Sequence, residues 1–408
     1  MKLKPIITCL TDIDAYKPNM GAVIDRYYGD YTARWALKVR NPDVHFTAEM
    51  VQEIKDQIDY FCNLTFTKEE IDGIKTDFKK WLPMPYVINN LKNWHPNRED
   101  IHVNETGMLT YNDCGLAIEA EGTWLDTSLY EIAILAIVSE VWFKMKYADR
   151  LDELDNEFQK RTIEKFNKVK DGTYDIGIFS EFGTRRRYSK NMHEWLVKYL
   201  VDEKIPGFIG TSNVWLAHKY GTKPIGSQAH ELYMAVQQKP SLEKSYINAE
   251  IMRSWNGVFK TQLGIALTDT IGSEVFLKDF DANFATLFNG VRHDSGDPYW
   301  WGELMIDHYK KLGIDPKTKT LLFSDSLNFE KATAIRKCFK NRINVAFGIG
   351  TFLTADIGVE PLNIVFKMIE CNGKPVAKLS NTPSKIMCRN NDYVDYLKRT
   401  IDWRLKYE

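Results

Sequence analysis

Gly290-Val-Arg-His-Asp-Ser-Gly-Asp-Pro298 contains the pattern on which the fold of this 408-residue chain turns. A short apolar run ends in a cluster of polar residues and glycine, and a helical stretch follows. The same order recurs from about residue 175. The apolar runs are Ile176-Gly-Ile-Phe179, Gly207-Phe-Ile209, Lys223-Pro-Ile225, Leu263-Gly-Ile-Ala-Leu267, Gly290-Val291, Thr320-Leu-Leu-Phe323 and Ile343-Asn-Val-Ala-Phe347. The clusters after them are Glu181-Phe-Gly-Thr-Arg185, Gly210-Thr-Ser-Asn213, Gly226-Ser-Gln-Ala-His230, Asp269, Arg292 to Asp297, Ser324-Asp-Ser326 and Gly348-Ile-Gly-Thr351. Strands alternating with helices predict a parallel sheet closed as an irregular (β/α) barrel. In such barrels the loops after the strands share one face, where chemistry is carried out. The scattered polar clusters should therefore meet in one pocket.

The rest of the chain reads as a second, α+β unit. Thr47 to Leu64 suits a helix, and Thr67-Lys-Glu-Glu70 is a capping box for another running to Trp81, broken by Pro83 and Pro85. Ile101–Glu105, Met108–Tyr111 and Gly115–Ala120 read as short strands. Residues 129–169 are helical, apolar first and charged from Asp149. A strand Asn363–Ile369, a Cys371-Asn-Gly-Lys374 turn and Pro375–Leu379 form a hairpin that could rejoin the first sheet. The expected division is an N-terminal α+β domain over 1–118, completed by 362–408, and a barrel domain over 119–361.

Composition bounds the function. Fifty-four basic and 55 acidic residues leave a net charge of −1, which gives no support for bulk nucleic-acid or membrane binding. An anionic ligand has to be held by local cations. The longest apolar run, Ile132–Val138, is too short to span a bilayer. The start, Met1-Lys-Leu-Lys-Pro-Ile6, is too short in its apolar part for a secretory signal. The six cysteines form no Cys-x-x-Cys pair and suit reduced thiols in a cytoplasmic protein.

Each cluster admits a functional and a structural reading. Asp294 and Asp297 bracket a Ser-Gly turn and could take ribose hydroxyls or support Mg²⁺; Asp297 could equally cap the helix opening at Pro298. Arg292 offers a planar fork to a phosphate. Gly348, Gly350 and Thr351 suit either an anion cradle or a tight turn, and Ser324, Asp325 and Ser326 add groups at the same rim. Phe182 could stack on a flat ligand and Arg185 could pair with a carboxylate, while at least one of Arg186 and Arg187 should be solvated. His230, after a glycine loop, could be acid, base or nucleophile, or a structural histidine. Thr11-Asp-Ile-Asp-Ala-Tyr-Lys17 reads either as site residues reaching the barrel from the other domain or another subunit, or as a helix start capped by Asp12.

Together these segments resemble the nicotinate phosphoribosyltransferases, of the type II phosphoribosyltransferase class, in their ~400-residue bacterial and fungal form. The resemblance rests on Thr11-Asp-x-Asp-x-Tyr-Lys17, Phe182-Gly-Thr-Arg185, Gly210-Thr-Ser-Asn213, Ala229-His-Glu231, Arg292–Pro298 and Phe347-Gly-Ile-Gly-Thr351. It implies transfer of phosphoribosyl from 5-phosphoribosyl 1-pyrophosphate to nicotinate, with Mg²⁺ and with ATP hydrolysis coupled through a phosphohistidine, in a homodimer with shared sites. By position His230 is that histidine. Phe182 and a neighbouring subunit's Tyr16 would sandwich the pyridine, and Arg185 would take its carboxylate. Asp294 and Asp269 would hold the ribose; Gly348, Gly350 and Thr351 would cradle the 5-phosphate. Arg40, Arg292, Asp325, Lys378 and Lys385 are further phosphoribosyl or pyrophosphate contacts, and Asp14 completes the shared wall. Nicotinamide-specific relatives carry Asp where this chain has Ser212, so a nicotinate preference is implied. Ser227-Gln228 departs from the family's commoner Thr and apolar residue, which puts the ATP coupling in question. Alternatives are a nicotinamide or quinolinate phosphoribosyltransferase, and a catalytically silent nucleotide-binding protein on the same fold.

Overall fold

The computed structural model describes residues 4–105, 114–382, 386 and 388–408; the expected strand Met108–Tyr111 and Lys385 lie outside them. Two sheets organise the chain. The first has five antiparallel strands: β1 (Thr32–Val39), β2 (Ile101–Asn104), β3 (Ala117–Thr123), β11 (Ile364–Cys371) and β12 (Lys374–Pro375), in the order β12-β11-β1-β3-β2. The second has seven parallel strands: β4 (Ile178–Glu181), β5 (Phe208–Thr211), β6 (Lys223–Pro224), β7 (Ile265–Leu267), β8 (Gly290–His293), β9 (Thr320–Phe323) and β10 (Asn344–Ile349), in the order β6-β5-β4-β10-β9-β8-β7. Each of the seven apolar runs of the sequence supplies one of these strands. The barrel is open: β6 and β7 are its two ends, with no backbone ladder between them.

β1 is the strand the sequence reading missed. Ala33, Trp35, Leu37 and Val39 are buried and alternate with Thr32, Arg34 and Lys38, but a buried Ala36 interrupts the alternation. It pairs with β3 on one side and β11 on the other, so the C-terminal hairpin does join the first sheet. The hairpin turns through Asn372 and Gly373, both with positive φ, the geometry of a two-residue primed turn. The last helix, Asn391–Tyr407, goes elsewhere: Arg404 pairs with Asp279 at 2.7 Å on the barrel side.

Thr67 forms the capping box with Glu70, but the helix it opens ends at Asp77. The prolines start a helix rather than end one: Pro83 caps Met84–Asn89, with Pro85 in its first turn, where no N–H is needed. The apolar helix Tyr130–Lys146 is the hub of the molecule. It packs against β11, the helix Ala48–Cys62 and the turn Thr184–Arg186, so it touches the first sheet and a strand-end turn of the barrel. Among the described residues no helix is long and apolar enough to cross a membrane, and no disulfide joins any two cysteines.

Candidate active site

A cavity of about 1210 Å³ opens where the strand-end loops of the barrel face the first sheet. Asp14, Tyr16, Arg40, Phe182, Arg185, Ser212, His230, Arg292, Asp294, Asp325, Gly348, Gly350, Thr351 and Lys378 all line it. Of the other residues singled out, Asp269 stands just behind the wall, hydrogen-bonded to His230.

One wall is ionic. His230 begins the helix His230–Ala235, and its Nε2 lies 3.0 Å from Asp269 Oδ1 and 3.7 Å from Asp294 Oδ2. Lys378 Nζ lies 3.1 Å from Asp269 Oδ2 and 3.7 Å from Asp294 Oδ2. Burial, helped by the Lys378 ammonium, pushes the imidazole down to about 4 despite the two carboxylates. The ring is therefore neutral near pH 7, donates Nε2–H to Asp269 and keeps a lone pair on Nδ1. Burial alone would raise Asp269, but Lys378 and His230 outweigh it and hold the carboxyl well below its usual range. Ser295 donates to the same carboxylate.

His230, Asp269 and Asp294 bring three ligand atoms within 4.8 Å of one another, close enough for a metal. They do not fit a resident Mg²⁺. The Lys378 ammonium already lies beside both carboxylates and Arg292 holds Asp294, and Mg²⁺ favours an all-oxygen octahedron over an imidazole.

The other wall is aromatic and cationic. Glu181 at the end of β4 accepts from His193 at 2.8 Å, from Thr211 and from the Gly183 amide, which fixes the turn carrying Phe182 and Arg185. Gly348 is glycine because of this turn: a Cβ there would sit 2.3 Å from the Phe182 ring. Gly350, whose Cβ would come within 3.0 Å of Phe182 O, precedes the short helix Thr351–Thr354. Asp14 reaches the pocket by bridging to Asn213, and the Ser212 hydroxyl donates to its Oδ1 at 2.7 Å. Burial raises the Asp14 pKa.

Several expectations are corrected here. Tyr16 lines the cavity of its own chain, hydrogen-bonded to Glu131 at 3.2 Å, where the sequence reading placed a neighbouring subunit's Tyr16. Asp12 is no helix cap: it makes a fully buried two-pronged pair with Arg187 at 2.7 and 2.8 Å. Of the two later arginines Arg187 is fully buried, whereas Arg186 is only half-buried: it lines the cavity and donates to Ile364 O at 2.9 Å. Burial, with Arg185 and Arg40 nearby, lowers it to about 9. Arg292 spends its fork within the protein, on Gln228 O, Asp294 and Ser324. Asp297 proves to be the cap of the helix at Pro298, accepting from the Tyr299 and Trp300 amides.

Sequence reasoning missed Glu131, Glu231, Arg186 and Lys367, which line the same cavity. Glu131 lies 2.7 Å from the buried Lys17, 3.8 Å from Arg185 and 4.0 Å from Lys367. Burial lowers Lys367 to about 8. The one visible signal was a carboxylate at the head of the longest apolar run.

Comparison with known proteins fits this arrangement. The nicotinate phosphoribosyltransferase (NAPRTase) family profile matches residues 178–404, and that of the family's N-terminal domain matches residues 11–139. The chain belongs to the nicotinate phosphoribosyltransferase family. It is 40% identical to the nicotinate phosphoribosyltransferase of Photorhabdus laumondii over 409 residues, covering 98% of this chain and 96% of that one. The Yersinia enterocolitica relative is also 40% identical, over 97% and 96%. The crystal structure of the nicotinate phosphoribosyltransferase from Vibrio cholerae superposes with a TM-score of 0.89 at 34% identity, covering 98% of this chain and 94% of that one. That from Porphyromonas gingivalis gives 0.86 at 29%, covering 97% and 100%.

Proposed function

We propose that the cavity joins nicotinate to 5-phosphoribosyl 1-pyrophosphate, giving nicotinate mononucleotide and pyrophosphate. The observation that carries the reading is the opposition of two walls: Tyr16, Phe182 and Arg185 on one, His230, Asp269, Asp294 and Lys378 on the other. The pyridine sits between Phe182 and Tyr16, with its carboxylate on Arg185. The ring nitrogen attacks the anomeric carbon as the bond to pyrophosphate breaks. Asp294 faces the positive charge that grows on the ribose, and Lys378 and Arg40 receive the leaving anion. Because Gly348 is needed for Phe182, the 5-phosphate is assigned to the backbone at Gly350 and Thr351 with Arg186. Mg²⁺ enters as part of the polyphosphate substrates and not as a resident ion.

ATP is coupled through His230. Its Nδ1 lone pair attacks the terminal phosphorus of ATP, ADP leaves, and water later cleaves the phosphohistidine. Asp269 holds the ring through Nε2–H, so phosphorylation at Nδ1 leaves that bond intact. Six cysteines with no disulfide among the described residues support a reducing, cytoplasmic setting.

Pyrophosphate release is measured with nicotinate, nicotinamide and quinolinate, each with and without ATP. Release with nicotinate, stimulated by ATP, is expected. Binding of the sugar pyrophosphate without release would favour a silent nucleotide-binding protein. Incubation with ATP and Mg²⁺ should yield an acid-labile phosphoprotein, absent in His230→Ala. Mixing inactive Tyr16→Ala with inactive Arg185→Ala should restore nothing, since one chain carries both residues; recovery would mean shared sites in a homodimer.

A further inference from the structure

The seam of the open barrel is closed by side chains. Ile265 C=O and Leu267 N–H, two residues apart on β7, point to the same free edge of the sheet. Among the described residues no strand takes them. The Ser227 hydroxyl donates to Ile265 O at 3.3 Å, and Leu267 N–H donates to Gln228 Oε1 at 3.2 Å. Gln228 is fully buried. The same Oε1 accepts from Tyr233 OH at 2.6 Å, and the Gln228 carbonyl accepts from Arg292, which also holds Asp294 at 3.2 Å. His230 follows two residues later, with Asp269 two residues beyond Leu267. One side-chain amide thus ties the loop of the histidine to the strand of its carboxylate partner.

We infer that Gln228 is a positioning residue: its side-chain oxygen replaces the missing rung between β6 and β7 and sets the His230–Asp269 geometry for phosphoryl transfer. The role in phosphoryl transfer rests on the ATP-coupled reading; the latch itself does not. Only the acceptor end is engaged, for Nε2 has no partner among the described residues. A glutamic acid, protonated in this buried place, would keep the acceptor, whereas methionine would remove it at similar length.

The test compares Gln228→Met and Gln228→Glu with the unaltered full-length protein. In Gln228→Met, amide exchange should rise in peptides covering 226–231 and 265–267. Labelling of His230 by ATP should slow about tenfold, the scale of one lost buried hydrogen bond, with the KM for nicotinate moved less than about twofold. Gln228→Glu should recover most of the labelling rate and the protection. Unchanged exchange in Gln228→Met overturns the latch. Faster exchange with labelling rate and nicotinate KM lost in parallel, and no rescue by glutamate, overturns the positioning role in favour of general loosening. If the unaltered protein takes no label at His230, the ATP-coupled reading and the positioning role fail together, and exchange alone decides whether the latch exists.

Discussion

The two walls of the cavity are built in different ways. The ionic wall comes from consecutive barrel loops: His230 after β6, Asp269 after β7, Asp294 after β8. Each sits where a strand delivers it, and the parallel register of β7 and β8 fixes the spacing of Asp269 and Asp294. The pyridine wall is assembled from distant parts. Tyr16 comes from the first helix, Glu131 from the hub helix and Lys367 from β11, and only Phe182, Arg185 and Ser212 belong to barrel loops. A wall made mostly by strand ends depends chiefly on the sheet, with Lys378 added from the C-terminal segment and Gln228 spanning the open seam. A wall borrowed from the other unit depends on how the two units are held together.

The largest effect should follow from breaking the first wall at its centre. Asp294→Ala removes the carboxylate proposed to face the ribose and leaves Arg292 and Lys378 without a partner they now share. The turnover for pyrophosphate release should fall roughly 10²–10³-fold, with the nicotinate KM little changed. A matching loss in KM would move Asp294 from chemistry to substrate binding.

The second wall should break through stability first. Asp12 and Arg187 are both fully buried and join the N-terminal segment to the barrel. Arg187→Met leaves the Asp12 charge with Lys190 at 3.4 Å and Asn213 as its remaining partners. That should cost about 3–5 kcal/mol in denaturant unfolding. The pair also carries a pH signature. Burial would raise Asp12, but Arg187 outweighs it and holds the carboxyl far below its usual range. The contribution is thus complete above the unfolded carboxyl's pKa of about 4 and is lost as pH falls below it. Arg187→Met should flatten that acid limb; an unchanged limb would place the acid sensitivity elsewhere.

The same contrast explains what was legible beforehand. Apolar runs ending in glycine and polar residues announced all seven parallel strands, and with them His230, Asp269 and Asp294, because strand and site are local neighbours. Glu131 could not be read that way. It looks like the flank of an apolar helix, and only the packing of that helix between the first sheet and a strand-end turn of the barrel brings it to Arg185 and Lys367. The closure of the barrel was equally hidden, since a glutamine side chain spans the seam where the sheet was expected to close. Asp12 and Arg187 are 175 residues apart, and nothing local marks them as partners.

Substrate choice tests the second wall more gently. Ser212 now gives its hydrogen to Asp14, so under the proposed function recognition of the nicotinate carboxylate would fall chiefly on Arg185. Ser212→Asp sets a second carboxylate beside Asp14 at the pyridine edge. It should repel nicotinate and accept from an amide, which narrows the ratio of kcat/KM for nicotinate over nicotinamide by about tenfold. Equal responses of the two substrates would detach Ser212 from recognition.

The smallest expected change is a flat line, and it separates the walls by charge. His230 is held neutral in the folded protein down to about pH 4 by burial and Lys378. An exposed histidine would start to lose its nucleophilic form near pH 6.5. Labelling by ATP should therefore stay level between about pH 8 and 5 and decline only below that. Stability runs the other way: the unfolded chain takes up this proton below about 6.5, so the folded state loses ground from there until its own histidine titrates. Lys378→Met tests the cause. Without the ammonium, Asp269 and Asp294 would dominate the imidazole, raise its pKa and bring a sloping pH profile into the neutral range. A profile that stays level in that variant would leave burial alone as the reason the histidine is neutral.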